Sequence, residues 1–147
     1  MTIEFIWQFL GTTLLLGACL WALWRGEAPE RWGGAILLVG FLMTEVVELT
    51  RPRESFEVPA FVVVDIITLI GFVVLSLRSR RIWTLFISAF QLNAIISHFA
   101  VQLSSHVDMY TQITAVGLWG GYGLSLALIA GMWILEWRRW QTRRTTP

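Results

Sequence analysis

Five long apolar stretches, separated by short polar segments, account for most of this 147-residue sequence. Membrane hydrocarbon offers no partner to a peptide N–H or C=O group, so a crossing segment must satisfy its own backbone, and runs of this length do so as helices. A helix needs about 20 mostly apolar residues to cross a bilayer. The sequence therefore predicts an all-α integral membrane protein that folds as a compact bundle of five transmembrane helices.

Composition excludes several other protein classes. Hydrophobic residues make up 56% of the chain and charged residues 14%, whereas a soluble domain carries roughly 25% charged residues. The segments between the apolar runs are too short for a second domain, so residues 1–147 are expected to form one polytopic domain. The arginines stand singly or in short groups at expected helix ends, and nucleic acid is therefore not expected as a partner. Cys19 lies in an apolar run, where we expect a small buried side chain.

The second apolar run is the weakest of the five. It is short, it carries Glu45 and Glu48 near its end, and Pro52 follows, a residue that cannot continue a helix without cost. Four spans with a re-entrant or interfacial helix two are therefore the alternative to five spans. The approximate predicted spans are residues 5–24, 32–49, 60–77, 82–103 and 110–137.

Arginine distribution predicts the orientation. In a five-span chain nine of the eleven arginines fall on one side, and Arg51 and Arg53 alone fall on the other. Because basic residues are enriched on the cytoplasmic side, the carboxyl terminus is expected in the cytoplasm and the amino terminus outside. The amino terminus lacks a basic segment before its apolar run, so helix one is expected to be retained as an anchor. Size and arginine-marked loops are typical of a small bacterial inner-membrane protein. Tryptophans near the arginine-rich ends predict an interfacial belt: Trp21, Trp24, Trp32, Trp83, Trp137 and Trp140.

Four ionisable side chains fall inside the apolar runs, namely Glu45, Glu48, Asp65 and His98. At 1.5 Å per residue each lies within roughly 10 Å of the same membrane surface. Such residues are costly in a bilayer and require an explanation. They could bind a divalent metal such as zinc or iron, although the metal is unknown. They could also relay protons or accept a cation. Alternatively, Glu45 and Glu48 reach the interface while Asp65 and His98 hydrogen-bond each other or neighbouring helices.

A glycine-rich segment in the fifth run suggests close helix packing. Gly117, Gly121 and Ser125 follow one another at intervals of four, and small residues at this spacing let another helix approach closely. That helix could belong to this chain, to a second copy or to another membrane protein.

No catalytic residues are predicted. The sequence contains no Ser-His-Asp arrangement at a usable spacing, no phosphate-binding loop, no dinucleotide fingerprint and no haem-attachment motif, and no cofactor is strongly implied. We therefore expect a non-catalytic accessory, assembly or interaction subunit that contacts lipid and a membrane partner. The alternative is a cation- or proton-coupled transporter or channel, or a metal-dependent membrane enzyme, that uses the cluster of Glu45, Glu48, Asp65 and His98.

Overall fold

Long helices form nearly all of the part of the chain that the computed structural model describes, which is residues 3–50, 58–103 and 114–145. Five of them are long and apolar enough to cross a membrane, which confirms the predicted five-helix membrane protein. We number the α-helices α1 (Ile3–Arg25), α2 (Ala28–Thr50), α3 (Val58–Ser79), α4 (Ile82–Leu103) and α5 (Leu124–Thr145). The fifth segment that is apolar enough to cross a membrane, Thr114–Arg144, begins ten residues before α5. A π-helical segment (Gly117–Gly123) leads directly into α5.

Helix α2 is a full-length helix of 23 residues, as long as α1. It begins at Ala28, four residues before the predicted start at 32. Pro29 is tolerated there, because the first N–H groups of a helix have no partner within the helix in any case. The carbonyl of Glu27 accepts the N–H of Arg31 at 2.9 Å, which closes the first turn. The length of α2 favours five spans over the re-entrant alternative.

Two very short turns bring several helix ends together. Residues 26–27 connect α1 to α2, and residues 80–81 connect α3 to α4. Turns this short join antiparallel neighbours. Arg80 adopts a left-handed conformation with φ 52°, which ends α3 sharply. The arginine-rich end of the bundle is therefore formed by these two turns together with the carboxyl-terminal part of α5.

Neighbouring helices in the sequence also pack as neighbours in space. Helix α1 packs on α2, α2 on α3 and α3 on α4, while α5 with its π-helical segment closes the bundle against α1 and α4. The largest fully buried apolar side chains come from α3, α4 and α5 and are Phe72, Ile87, Leu128 and Met132. Cys19 is buried in the same core, as the sequence suggested.

Trp83 belongs to the core and not to an interfacial belt. Its side chain is only 4% exposed, whereas Trp24, Trp32 and Trp137 are exposed. A β-carbon at Gly33 of α2 would lie 2.6 Å from the Trp83 ring, and one at Gly131 of α5 would lie 2.7 Å from it. The missing side chains of these two glycines leave the space that the indole fills. The belt prediction was wrong for Trp83 because this space is invisible without the packing of three helices.

Candidate functional site

Asp65, Gln91 and His98 form one polar centre between α3 and α4. The amide nitrogen Nε2 of Gln91 donates to Oδ1 of Asp65 at 2.9 Å and lies 3.3 Å from the Asp65 carbonyl oxygen. The second carboxylate oxygen, Oδ2, lies 3.0 Å from Nε2 of His98. Gln91 is 1% exposed, and the Asp65 and His98 side chains are mostly buried. Both oxygens of a carboxylate inside a membrane span are thus paired within the chain.

The geometry of this centre allows two protonation states of the imidazole. A neutral ring with its hydrogen on Nε2 donates a hydrogen bond to Asp65, and a protonated ring adds an ion pair at the same distance. The centre lies about 10 Å along α3 from Val58, at 1.5 Å per residue, as the sequence analysis placed it. It can therefore hold two helices together or hold a proton at His98.

Glu45 and Glu48 are exposed, in contrast to Asp65 and His98. Within α2 the buried residues end at Leu37, so the last part of this helix lies at the edge of the bundle. Both glutamates occupy the final two turns before Thr50, which brings their side chains toward the membrane surface. The structure pairs Asp65 with His98 and leaves Glu45 and Glu48 out of that centre.

Metal coordination would need several ligands around one point. Among the described ranges, which include Glu45, Glu48, Asp65 and His98, no group of three or more His, Cys, Asp or Glu side chains could hold a metal ion. His106 and Asp108, which the sequence places just after α4, lie outside the described residues, as do Arg51 and Arg53.

The predicted small-residue face is divided by the π-helical segment. Gly117 faces α1, since a β-carbon there would lie 3.8 Å from Nε1 of Trp7. Ser125 is fully buried, and its hydroxyl donates to the carbonyl of Gly121 at 2.8 Å. Gly121 itself has open space where a side chain would begin. The i→i+5 bonding of a π-helix changes the number of residues per turn, so an interval of four no longer marks one face.

The π-helical segment packs beside the polar centre. A β-carbon at Gly120 would lie 3.5 Å from the β-carbon of Ala94, which stands on α4 between Gln91 and His98. Trp119 stacks on Phe90 of α4 with ring centroids 5.8 Å apart. Tyr122 donates its hydroxyl to the Trp7 carbonyl of α1 at 2.6 Å. The segment thus links α1 and α4 beside the Asp65 centre.

A buried acidic residue, Glu30, lies at the arginine-rich end of the bundle. It is completely inaccessible to solvent. Its Oε1 accepts a hydrogen bond from Nε1 of Trp83 at 3.3 Å and lies 3.4 Å from Nη1 of Arg81. Its Oε2 has no hydrogen-bond partner in the described part of the chain. Glu30 therefore holds the α3–α4 turn against the first turn of α2.

Further charged groups extend this contact into an arginine–glutamate network. Arg81 donates to Oε2 of Glu27 at 2.7 Å, and Arg139 lies 3.8 Å from Oε1 of the same carboxylate. Arg139 also donates to the Arg25 carbonyl at 2.8 Å and pairs with Glu136 at 3.4 Å. The network joins both short turns to α5. Its members are Arg25, Glu27, Glu30, Arg81, Glu136 and Arg139.

Glu30 was not predicted as a buried residue, because residues 25–31 lie between the predicted spans 5–24 and 32–49. The sequence nevertheless contains a pattern that indicates burial of Glu30. Glu30, Gly33, Gly34 and Leu37 are spaced as one face of a helix, and these four are the buried residues of α2. Recognising Pro29 as a first-turn residue would have extended the helix and placed Glu30 on its inner face.

Comparison with protein-family models, with curated proteins and with solved structures finds no match to this chain.

Replacing Glu30 with alanine is expected to lower the free energy of unfolding by about 2 kcal/mol, because the buried indole N–H of Trp83 then loses the carboxylate that accepts its hydrogen bond. Glu27→Ala is the matched control. Its side chain is 46% exposed, and loss of an exposed pair is expected to cost less than about 1 kcal/mol. Unfolding of both variants in detergent, followed by circular dichroism, measures the difference. Equal effects would show that Glu30 contributes no more than a surface charge.

Proposed function

We propose that this protein is a non-catalytic accessory or interaction subunit of a membrane, which acts by contact with another transmembrane helix. The observation that carries the proposal is the pairing of Asp65 with both Gln91 and His98. Both carboxylate oxygens are engaged in bonds between two adjacent helices of the chain. This arrangement favours a structural use of the intramembrane polar groups over a catalytic one.

Open space at Gly121 supports a contact surface on the π-helical segment. A β-carbon there would meet no atom within 4 Å, while Leu118 and Leu126 on either side of it in the sequence are exposed. A bare glycine backbone allows a second helix to approach closely, and packing of this kind drives association in lipid, where the hydrophobic effect contributes little. We name Gly121 and its exposed neighbours Leu118 and Leu126 the Gly121 surface.

The proposal includes a location and an orientation. The distribution of arginines supports a bacterial inner-membrane protein with the arginine-rich end and the carboxyl terminus in the cytoplasm, and with the amino terminus outside. On this orientation the Asp65 centre lies in the outer half of the membrane and the arginine–glutamate network at the cytoplasmic surface.

A second candidate function uses the Asp65 centre as a proton site. The imidazole Nε2 of His98 lies 3.0 Å from Oδ2 of Asp65, and ionisable groups inside membrane spans often mark proton or ion pathways. In this candidate the protein is a proton-coupled transporter or channel, and Asp65 and His98 are its working residues.

Gly121→Leu is expected to abolish association without loss of fold, because a β-carbon at Gly121 meets no atom of the chain within 4 Å and the larger side chain blocks an approaching helix. Gly17→Leu is the matched control, since a β-carbon at Gly17 of α1 also meets nothing within 4 Å. The mass of the particle extracted in mild detergent, measured by light scattering, reports the outcome. The wild type and Gly17→Leu should exceed the monomer mass, and Gly121→Leu should not. A monomeric wild type would argue strongly against the proposal.

Reporter fusions test the orientation. A fluorescent protein attached to the carboxyl terminus should fluoresce, and alkaline phosphatase at the same place should be inactive, because the former folds in the cytoplasm and the latter outside it. The same reporters inserted between residues 51 and 57 should behave in the opposite way. Active phosphatase at the carboxyl terminus would contradict the proposed orientation.

Asp65→Asn separates the two candidate functions. If the centre is structural, the substitution should lower the free energy of unfolding by about 1 kcal/mol, in the range measured for hydrogen bonds between membrane helices, and proton flux into liposomes should equal that of the wild type. Glu48→Gln, which removes an exposed carboxylate near the same end, should change neither quantity. Proton flux that the wild type supports and that Asp65→Asn alone loses would favour the transporter or channel.

A further inference from the structure

A basic cleft opens at the arginine-rich end of the bundle, away from both the Asp65 centre and the Gly121 surface. Its volume is about 510 Å³, and four arginines and one glutamate contribute to its walls. Three parts of the fold meet here, since Glu27 comes from the α1–α2 turn, Arg81 from the α3–α4 turn and the remaining residues from α5. The cleft is therefore a product of the tertiary structure and not of one basic segment.

One face of α5 forms the longest wall of this cleft. Leu135, Arg138, Arg139 and Thr142 line it and follow the helical spacing of three and four residues, with Arg143 beside them. Leu135 is buried and the arginines lie farther along the helix. At 1.5 Å per residue, Arg143 lies about 12 Å beyond Leu135. The cleft thus has an apolar floor and a basic rim.

The charges in the cleft are unequally satisfied. Glu27 lies between Arg81 and Arg139, with one carboxylate oxygen toward each. These two guanidinium groups thus already share one anionic group. The guanidinium groups of Arg138 and Arg143 form no ion pair with any residue that the structure describes, and both side chains are exposed. The rim therefore carries positive charge that the described part of the chain does not neutralise.

The position of the cleft relative to the membrane indicates the source of its ligand. Trp137 and Trp140 are exposed on α5 at the same level, and tryptophan is enriched where lipid headgroups meet hydrocarbon. Arginine binds phosphate oxygens through its planar fork of N–H groups. Basic pockets between membrane helices at this depth accept the headgroups of anionic lipids.

We propose that this cleft binds the phosphate group of an anionic phospholipid, with Arg138 and Arg143 as its principal ligands. Arg81 and Arg139 hold the cleft open through their pairing with Glu27. The inference does not require the Gly121 surface and holds for either orientation of the protein.

Native mass spectrometry of the purified protein, titrated with phosphatidylglycerol or with phosphatidylcholine, tests the proposal. Phosphatidylglycerol should bind more tightly than phosphatidylcholine. The double variant Arg138→Gln/Arg143→Gln should bind phosphatidylglycerol about 25-fold more weakly, because each arginine near an anionic lipid surface contributes roughly fivefold to binding. Both side chains are exposed, so its helical circular dichroism signal should match that of the wild type.

A matched control separates the cleft from the general charge of this end of the protein. Arg78→Gln/Arg80→Gln removes the same charge from two exposed residues that do not line the cleft, one at the end of α3 and one in the α3–α4 turn. This variant should change phosphatidylglycerol binding less than about twofold, since neither guanidinium group lines the cleft and exposed charges outside it are screened by salt. Equal weakening in the two double variants would overturn the proposal, because it would show nonspecific attraction to a basic surface.

Inorganic phosphate distinguishes a lipid headgroup from a free phosphate compound. Millimolar inorganic phosphate should leave bound phosphatidylglycerol in place, because the free ion lacks the acyl chains that can contact exposed apolar side chains of α5 such as Ile134 and Trp137. Displacement of the lipid by inorganic phosphate would overturn the assignment to a phospholipid. Equal binding of phosphatidylglycerol and phosphatidylcholine would also overturn it, since the arginines would then not recognise the negative charge.

Discussion

The absence of hydrogen-bond partners in membrane hydrocarbon governs this structure. It requires helices wherever the backbone crosses, and it also requires a partner for each polar side chain that the spans carry. Hydroxyl groups meet this need locally: Thr44, Thr68 and Ser88 donate to the carbonyl four residues earlier. A carboxylate has no hydrogen to donate, so Asp65 must find donors on another helix, and Gln91 and His98 of α4 provide them.

Charged side chains are paired in different ways at the two ends of the bundle. At the arginine-rich end, the two short turns and α5 are close enough for a network in which Glu27 and Glu30 share Arg81. At this end the buried hydrogen bond between Trp83 and Glu30 fixes the position of α4 along α2. A buried ion pair contributes little net stability against its cost of desolvation, but its geometry selects one arrangement of helices. The other end has one comparable centre, at Asp65, within the described residues.

The position of a side chain along its helix was predictable from the sequence, while its contacts with other helices were not. Asp65 and His98 were placed at the same depth from residue counting, and the structure brings them together. Glu45 and Glu48 were placed at that depth by the same argument, yet they are exposed because the last part of α2 leaves the core. Gly117, Gly121 and Ser125 follow one another at intervals of four residues. This spacing places them on one face only in a continuous α-helix. The π-helical segment changes the number of residues per turn, so the spacing no longer indicates one face.

The sequence by itself determined the fold class, the number of spans and the end of the bundle at which the arginines gather, because each of these follows from apolar length and from the positions of charges along the chain. Only the tertiary structure decided that Trp83 is buried between two glycines, that Glu30 is an interior residue and that four arginines from distant segments line one cleft. The physical reason is geometric. Residue counting sets the height of a side chain along its helix, whereas the rotation of that helix and its choice of neighbours depend on how all five surfaces pack together.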